Sequence, residues 1–127
     1  MNPLKQIMMQ AVSGMSLEQR RVTVASENIS NVDTPGYRRK RLLQEAQPGQ
    51  GADFAATKVM LDETPGQREY DPSHPMSDED GYVTMSNVSL ITEMADLRDA
   101  NRTYEANLNS FQQARTMYQS LLDVLRR

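Results

Sequence analysis

The chain of 127 residues contains no cysteine, which removes disulfide staples and thiol chemistry together. It has no tryptophan and only two phenylalanines, and its mean hydropathy is −0.68, so a thick globular core is not expected. No run of about 18 apolar residues occurs, so no segment is expected to span a bilayer. The N-terminus lacks a cationic start followed by a solid apolar block, and no cleavable secretory signal is expected. The net charge of −3 argues against a dedicated nucleic-acid binder.

Catalytic constellations are equally scarce. The one histidine, His74, lies between Pro72 and Pro75 in an extended stretch. A catalytic histidine needs a nucleophile or carboxylate held beside it by a rigid scaffold, and no serine sits in a nucleophile-elbow pattern. His74 therefore reads as a packing or hydrogen-bonding residue. Asp78-Glu79-Asp80 invites a calcium-loop reading, but alternating ligands over twelve residues with a late glutamate are missing. No catalytic residue, metal site or cofactor is expected.

Proline and glycine are absent from Asn87 to the end, and there the pattern is strongest. Leu90, Leu97, Tyr104, Phe111, Tyr118 and Leu125 recur every seventh residue, all large and apolar. Met94, Asn101, Leu108, Arg115 and Leu122 form an interleaved series. Together they make the a/d seam of a coiled coil on a helix of roughly 60 Å. Asn101 and Arg115 interrupt the seam, a device that fixes register at some cost in stability. Ser89 is the expected N-cap.

The N-terminus carries a second stripe. Asn2-Pro3 suits a helix start. Leu4, Ala11, Ala25 and Val32 fall on one heptad series, interrupted by Glu18, and Met8, Met15, Val22 and Ile29 on the other. Gly14 costs such a helix about 1 kcal/mol, and Ser13, Ser16, Thr23, Ser26 and Ser30 are mediocre formers. The helix is expected to be marginal alone and stable when packed. Thr34-Pro35-Gly36 stops it, with Pro35 and Gly36 at the centre of a type II turn. The two stripes fit a two-helix hairpin within one chain, a seam shared between subunits, or both at once.

Between the helices the chain is thin. Tyr37 to Arg41 reads YRRKR, a solvated strand start or inter-subunit contact rather than a nucleic-acid patch. Gln44 to Thr57 reads as loop. Lys58 to Asp62 and Arg68 to Asp71 are expected as short strands paired across Pro65-Gly66, and Tyr82 to Met85 as one more. The expected class is mainly α: long N- and C-terminal helices pairing as a coiled coil, with a short extended or β-hairpin middle. The units are 1–36, 37–86 and 87–127, the first and last forming one structural unit.

Residues Ala25 to Arg41, ASENISNVDTPGYRRKR, resemble the N-terminal signature of the flagellar rod, hook and hook-associated axial proteins. Asn28, Asn31, Thr34, Pro35, Gly36 and Tyr37 carry the likeness. Glu93 to Leu125 resembles the matching C-terminal helix, through Arg102, Tyr104, Ala106 and Asn107. In the middle, Pro75, Asp78, Gly81-Tyr82-Val83 and Asn87-Val88 resemble the bacterial flagellar basal-body proximal-rod family of the C type. Ser86 stands where that family usually has proline, and Met76 where an acidic residue is common.

The resemblance implies a structural subunit of the rod, exported without cleavage by the flagellar type III route and assembled helically in the periplasm. It implies as partners other rod subunits, further copies of itself, and the membrane-ring or export-gate base, with no nucleic acid and no direct membrane span. The residues expected to carry assembly are Met8, Met15, Val22, Ile29, Asn28, Asn31, Pro35, Gly36, Tyr37, Leu90, Met94, Leu97, Tyr104, Leu108, Phe111, Tyr118, Leu122 and Leu125. A cytoplasmic coiled-coil adaptor or export chaperone is the alternative, but it gives no reason for the Pro-Gly-Tyr stop or the extended middle.

Overall fold

A computed structural model describes residues 2–45 and 56–126. The expected loop at Gln44–Thr57 lies largely outside the described residues, and its two ends belong to strands. The elements run α1 (Pro3–Ser30), β1 (Lys40–Glu45), β2 (Ala56–Leu61), β3 (Arg68–Tyr70), β4 (Tyr82–Thr84) and α2 (Leu90–Leu125). The fold is mainly helical, with two short antiparallel ribbons between the long helices.

Each helix begins where its cap predicts. Asn2 accepts from the Leu4 amide at 2.9 Å, and Pro3 occupies the first turn, where its missing N–H costs nothing. Ser89 accepts from the Thr92 amide at 3.5 Å. The exit of α1 is built from side chains. Asn31 caps the helix, its Nδ2 donating to the Glu27 carbonyl at 2.9 Å, and its Oδ1 accepts from the Thr34 hydroxyl at 3.2 Å. The Tyr37 amide donates to the Thr34 carbonyl at 3.2 Å, with Gly36 at φ 77, closing the turn as a Pro-Gly pair should.

The helices pack antiparallel within one chain. Lys5 lies 5.5 Å from the Tyr118 ring, Gly14 faces Asn107, and Arg21 reaches Asp99 at 3.0 Å. The buried stripe on α1 is Ala11, Glu18 and Ala25, which share one heptad series, with Asn28 beside it. On α2 the buried residues are Glu93, Ala100 and Ala114, with Asn107 half-buried on the same series. A Cβ on Gly14 would stand 2.6 Å from Asn107 Nδ2, so glycine lets the helices approach closely there.

Two sequence expectations are corrected. The second series on α2 holds only in part: Leu108 and Leu122 are half-buried, but Met94 is 49 % exposed, Asn101 and Arg115 are exposed too, and the sealed positions Glu93, Ala100 and Ala114 lie one residue earlier. Alanine fits a close helix pair where methionine does not, and a straight helix drifts about 20° per heptad from a strict repeat. The strands also pair differently. β2 pairs with β1, Lys40 opposite Leu61, and β3 pairs with β4, Tyr70 opposite Tyr82. Pro65-Gly66 does not fold β2 onto β3. Instead Gly66 presses on the chain after β4, and the Met85 amide donates to the Gln67 carbonyl at 2.7 Å.

A Cβ at Gly66 would overlap the Met85 carbonyl oxygen, a backbone atom that cannot rotate aside. Gly66→Ala is therefore expected to cost about 1–3 kcal/mol by overpacking. Faster proteolysis within 62–86, with helix content unchanged, is the measurable sign.

Candidate assembly surface

The site begins at the base of the helix hairpin, where the α1 exit, the start of β1 and the start of α2 meet. Asn28 is 0 % exposed on the last turn of α1. Its Nδ2 donates to the Lys40 carbonyl at 2.9 Å. Its Oδ1 accepts from the Lys40 amide and from the Tyr37 hydroxyl, both at 2.9 Å. One amide thus stands in for a neighbouring strand at β1. Burial pushes the Tyr37 phenol above its ordinary value; Lys40 opposes this, while Glu27 and Glu93 add to it, and the hydroxyl stays a donor.

Asn87 repeats the device from the other side. Its Oδ1 accepts from the Arg39 amide at 2.6 Å, and its Nδ2 donates to the carbonyls of Asp62 and Thr64 at 2.9 Å each. Ser86 is buried and donates to the Val32 carbonyl, so its hydroxyl has a hydrogen-bonding role. Gly36 donates its amide to the Thr84 carbonyl at 2.9 Å, tying the turn to β4.

Between the two asparagines lies a charge network. Glu93 is 1 % exposed and accepts from the Arg39 guanidinium. Arg39 also donates to Asp96 at 3.1 Å and stands 3.9 Å from Asp62. Burial works against the Arg39 charge, but the bond to Glu93 and the fields of Glu93, Asp96 and Asp62 outweigh it and raise its pKa. A second buried carboxylate, Glu18, accepts from Arg21 at 2.9 Å, and Arg21 bridges to Asp99 across the seam.

The structure separates the expected residues into groups. Asn28, Asn31, Gly36 and Tyr37 meet at the base, with half-buried Pro35 in the same turn. Met8, Met15, Val22 and Ile29 on α1, and Leu97, Tyr104, Leu108, Phe111, Tyr118 and Leu122 on α2, are half-buried, neither sealed in the hairpin nor free of it. Leu90, Met94 and Leu125 are exposed. The buried charges are Glu18, which the heptad reading met as an interruption, and Glu93, which it passed over together with its half-buried partner Arg39. The two glutamates had a positional signal: Glu93, Ala100, Asn107 and Ala114 repeat every seventh residue, as Ala11, Glu18 and Ala25 do.

What remains exposed is apolar and grouped. Ile91 is 84 % exposed beside Leu90 and Met94 at the start of α2. At the other end of α2, Met117, Leu121, Val124 and Leu125 are exposed, Leu125 by 73 %. The antiparallel pairing brings Ile7, Met9 and Val12 of α1, also exposed, toward that same end. The buried apolar residues among those described are Ala11, Ala25, Val83, Ala100 and Ala114, all but one of them alanine. The apolar side chains that are fully sealed are mostly small, and the most exposed ones are large. No described helix is long and apolar enough to cross a membrane.

Comparison with known proteins agrees with this anatomy. The flagella basal body rod protein family matches residues 8–38, which cover most of α1 and its exit turn. The C-terminal family of flagellar basal body rod FlgEFG proteins matches residues 79–124, from the acidic turn through α2. The flagellar basal-body rod protein FlgC of Agrobacterium fabrum is 38 % identical over 99 % of this chain and 98 % of its own length. The FlgC protein of Borreliella burgdorferi is 31 % identical over 91 % of this chain and 93 % of its own. That of Salmonella typhimurium is 30 % identical over 84 % and 87 % respectively. The two matched segments are the two helices that pair, and the relatives run the length of the chain, so the protein belongs to the FlgC family of flagellar basal-body rod proteins.

Proposed function

We propose that this chain is a structural subunit of the flagellar basal-body rod, built in by packing its helix hairpin against neighbouring subunits. The observation that carries this reading is the inverted allocation of apolar side chains: alanines inside, Ile91, Met117, Val124 and Leu125 outside. A core of alanines gains little from burial, since stabilisation scales at about 25 cal/mol per Å² of apolar surface. The free chain is then marginal and completes its fold on assembly. Residues 1–36 and 87–127 act as the assembling unit, and 37–86 as the extended, β-rich segment between them.

The finer reading extends the family's. The subunit is proximal in the rod, lies in the periplasm, and is exported without cleavage, a marginal fold being one that an export channel can pass. Its neighbours are other rod subunits, further copies of itself, and the membrane-ring or export-gate base. It performs no catalysis. His74 fits that view: its Nδ1 accepts from the Met76 amide at 3.0 Å and closes a local turn.

The test is motility in cells carrying single substitutions. Phe111→Ala and Leu97→Ala are expected to abolish swimming, and His74→Ala to leave it nearly intact. The reverse ranking would overturn the proposal. Circular dichroism separates it from the adaptor alternative: a dilute monomer that is fully helical and hyperstable favours the adaptor.

A further inference from the structure

The basic run at Tyr37–Arg41 is only partly absorbed by the base of the hairpin. Arg39 is taken up by Glu93, and Lys40 pairs with Glu27 at 3.0 Å. Arg41 and Lys58 are exposed and belong to no ion pair among the described residues. Register places them together. Arg41 lies opposite Met60, and Lys58 is two residues from Met60, so all three side chains share one face of the β1–β2 ribbon. Every residue from Lys58 to Leu61 is exposed, and among the described residues β2 has no strand on its other side. The open edge of a two-stranded ribbon invites a partner.

The other ribbon carries the opposite character. Between β3 and β4, Asp78 is spent locally, accepting from the Tyr82 amide at 2.8 Å and from Arg68, and these bonds, the first above all, hold its carboxyl below the usual range. Holding Asp78 fixes the turn and leaves Glu79 and Asp80 exposed, in no ion pair among the described residues. Exposed Tyr70, Tyr82 and Met76 flank them, with the two tyrosine rings 5.3 Å apart edge to face. No ion pair among the described residues joins the two ribbons within the chain. They are also placed apart. The β1–β2 ribbon lies back along α1, where Thr57 accepts from Arg20, while Met76 beside the acidic turn sits against Gly36 at the base.

We propose that the Arg41–Lys58–Met60 face of the β1–β2 ribbon docks on the Glu79–Asp80 turn of a second copy of this chain. Each copy then offers one basic and one acidic patch, displaced from each other, which is a heterologous contact. Such contacts do not close on a two-fold and can propagate along a helix. Charge complementarity fixes the register, and the aromatic and aliphatic side chains around it supply the dry area. This rests on the rod-subunit reading above.

The missing cysteines make the test clean. Lys58→Cys and Glu79→Cys, placed in one chain, introduce its only thiols. Intact basal bodies from cells expressing that variant alone are treated with diamide, which takes up the two electrons and two protons released as each disulfide forms. A ladder of dimers and longer multimers is expected from the double variant, and none from either single variant. Dimers from Lys58→Cys alone mean that ribbon meets ribbon, and overturn the proposal. So does an unlinked double variant in well-formed basal bodies, since the contact is then with a different subunit. If the chain is absent from basal bodies, the rod reading itself falls, and the proposal with it.

A charge exchange provides the second arm. Arg41→Glu with Lys58→Glu is expected to reduce swimming about tenfold, as is Glu79→Lys with Asp80→Lys, because like charges then face each other. Combining all four is expected to restore most of it. Failure of the combination to restore swimming overturns the proposal.

Discussion

Arg39→Met is expected to unfold the base of the hairpin, although methionine is a side chain of similar reach. Glu93 is 1 % exposed, and Arg39 is the cation that meets it. Removing one partner of a buried pair leaves an orphan charge, at a cost of about 3–5 kcal/mol. Whole domains are stable by only about 5–15 kcal/mol, and this chain has an alanine core. Asp96 and Asp62 would lose their shared cation as well. The double variant Arg39→Met with Glu93→Leu removes both charges and is expected to recover at least half of the loss. Urea denaturation in a stabilising osmolyte such as sucrose, followed by circular dichroism, measures both. An Arg39→Met midpoint equal to that of the parent would refute the charge-network account.

Replacing Leu121 and Leu125 by aspartate is expected to stop swimming without unfolding the chain. Leu121 is 46 % exposed and Leu125 73 %, so neither supplies much to the hairpin's own stability. Burying a leucine fully contributes about 1.5–3 kcal/mol, so a neighbour that covers this pair gains roughly 2–3 kcal/mol from the two together. Aspartate forfeits that gain and adds the cost of drying two carboxylates. A loss of that size weakens each contact by roughly a hundredfold or more, and the loss recurs at every copy in a filament. Helicity equal to the parent's, with no rod in electron micrographs of basal bodies, is the expected pair of results. Rods of normal length in that variant would show that the end of α2 faces solvent in the assembly.

Much of the fold was legible in the chain itself, because its signals are local. Asn2-Pro3 and Ser89 announce helix starts, and Thr34-Pro35-Gly36 announces a stop, through steric and hydrogen-bonding rules that need no knowledge of the partner. The Leu97, Tyr104, Phe111, Tyr118 series was legible for the same reason: large side chains at constant spacing. The companion series was misplaced in part, at Met94, Asn101 and Arg115, because size and spacing were taken as the mark of burial. Alanine carries little hydrophobic weight, yet close helices select it, and Ala100 and Ala114 are buried while Met94 is not. Strand partners were harder to see. Lys58–Asp62 and Arg68–Asp71 flank a good turn, and only the fit of Gly66 against Met85 shows that the turn faces another way.

The base of the hairpin was half legible. Asn28, Asn31 and Tyr37 stood out as part of a recognisable motif, but what they bind was hidden. Arg39 was concealed among basic neighbours, since nothing in YRRKR marks which of the cations turns inward. That depends on Glu93, more than fifty residues downstream, and on Asn87 fixing the Arg39 backbone. Long-range choices of this kind are set by packing, and a local pattern does not encode them.

The antiparallel pairing of α1 with α2 has a kinetic corollary. Both ribbons lie between the two helices in sequence, so α1 finds its companion only after everything separating them has been made or threaded. Contacts that distant in the chain form slowly. Until α2 arrives, α1 is a lone strip with a glycine and several serines and little reason to hold its shape. The arrangement delays closure of the hairpin until α2 is in place, and a polypeptide that closes late stays pliable until then.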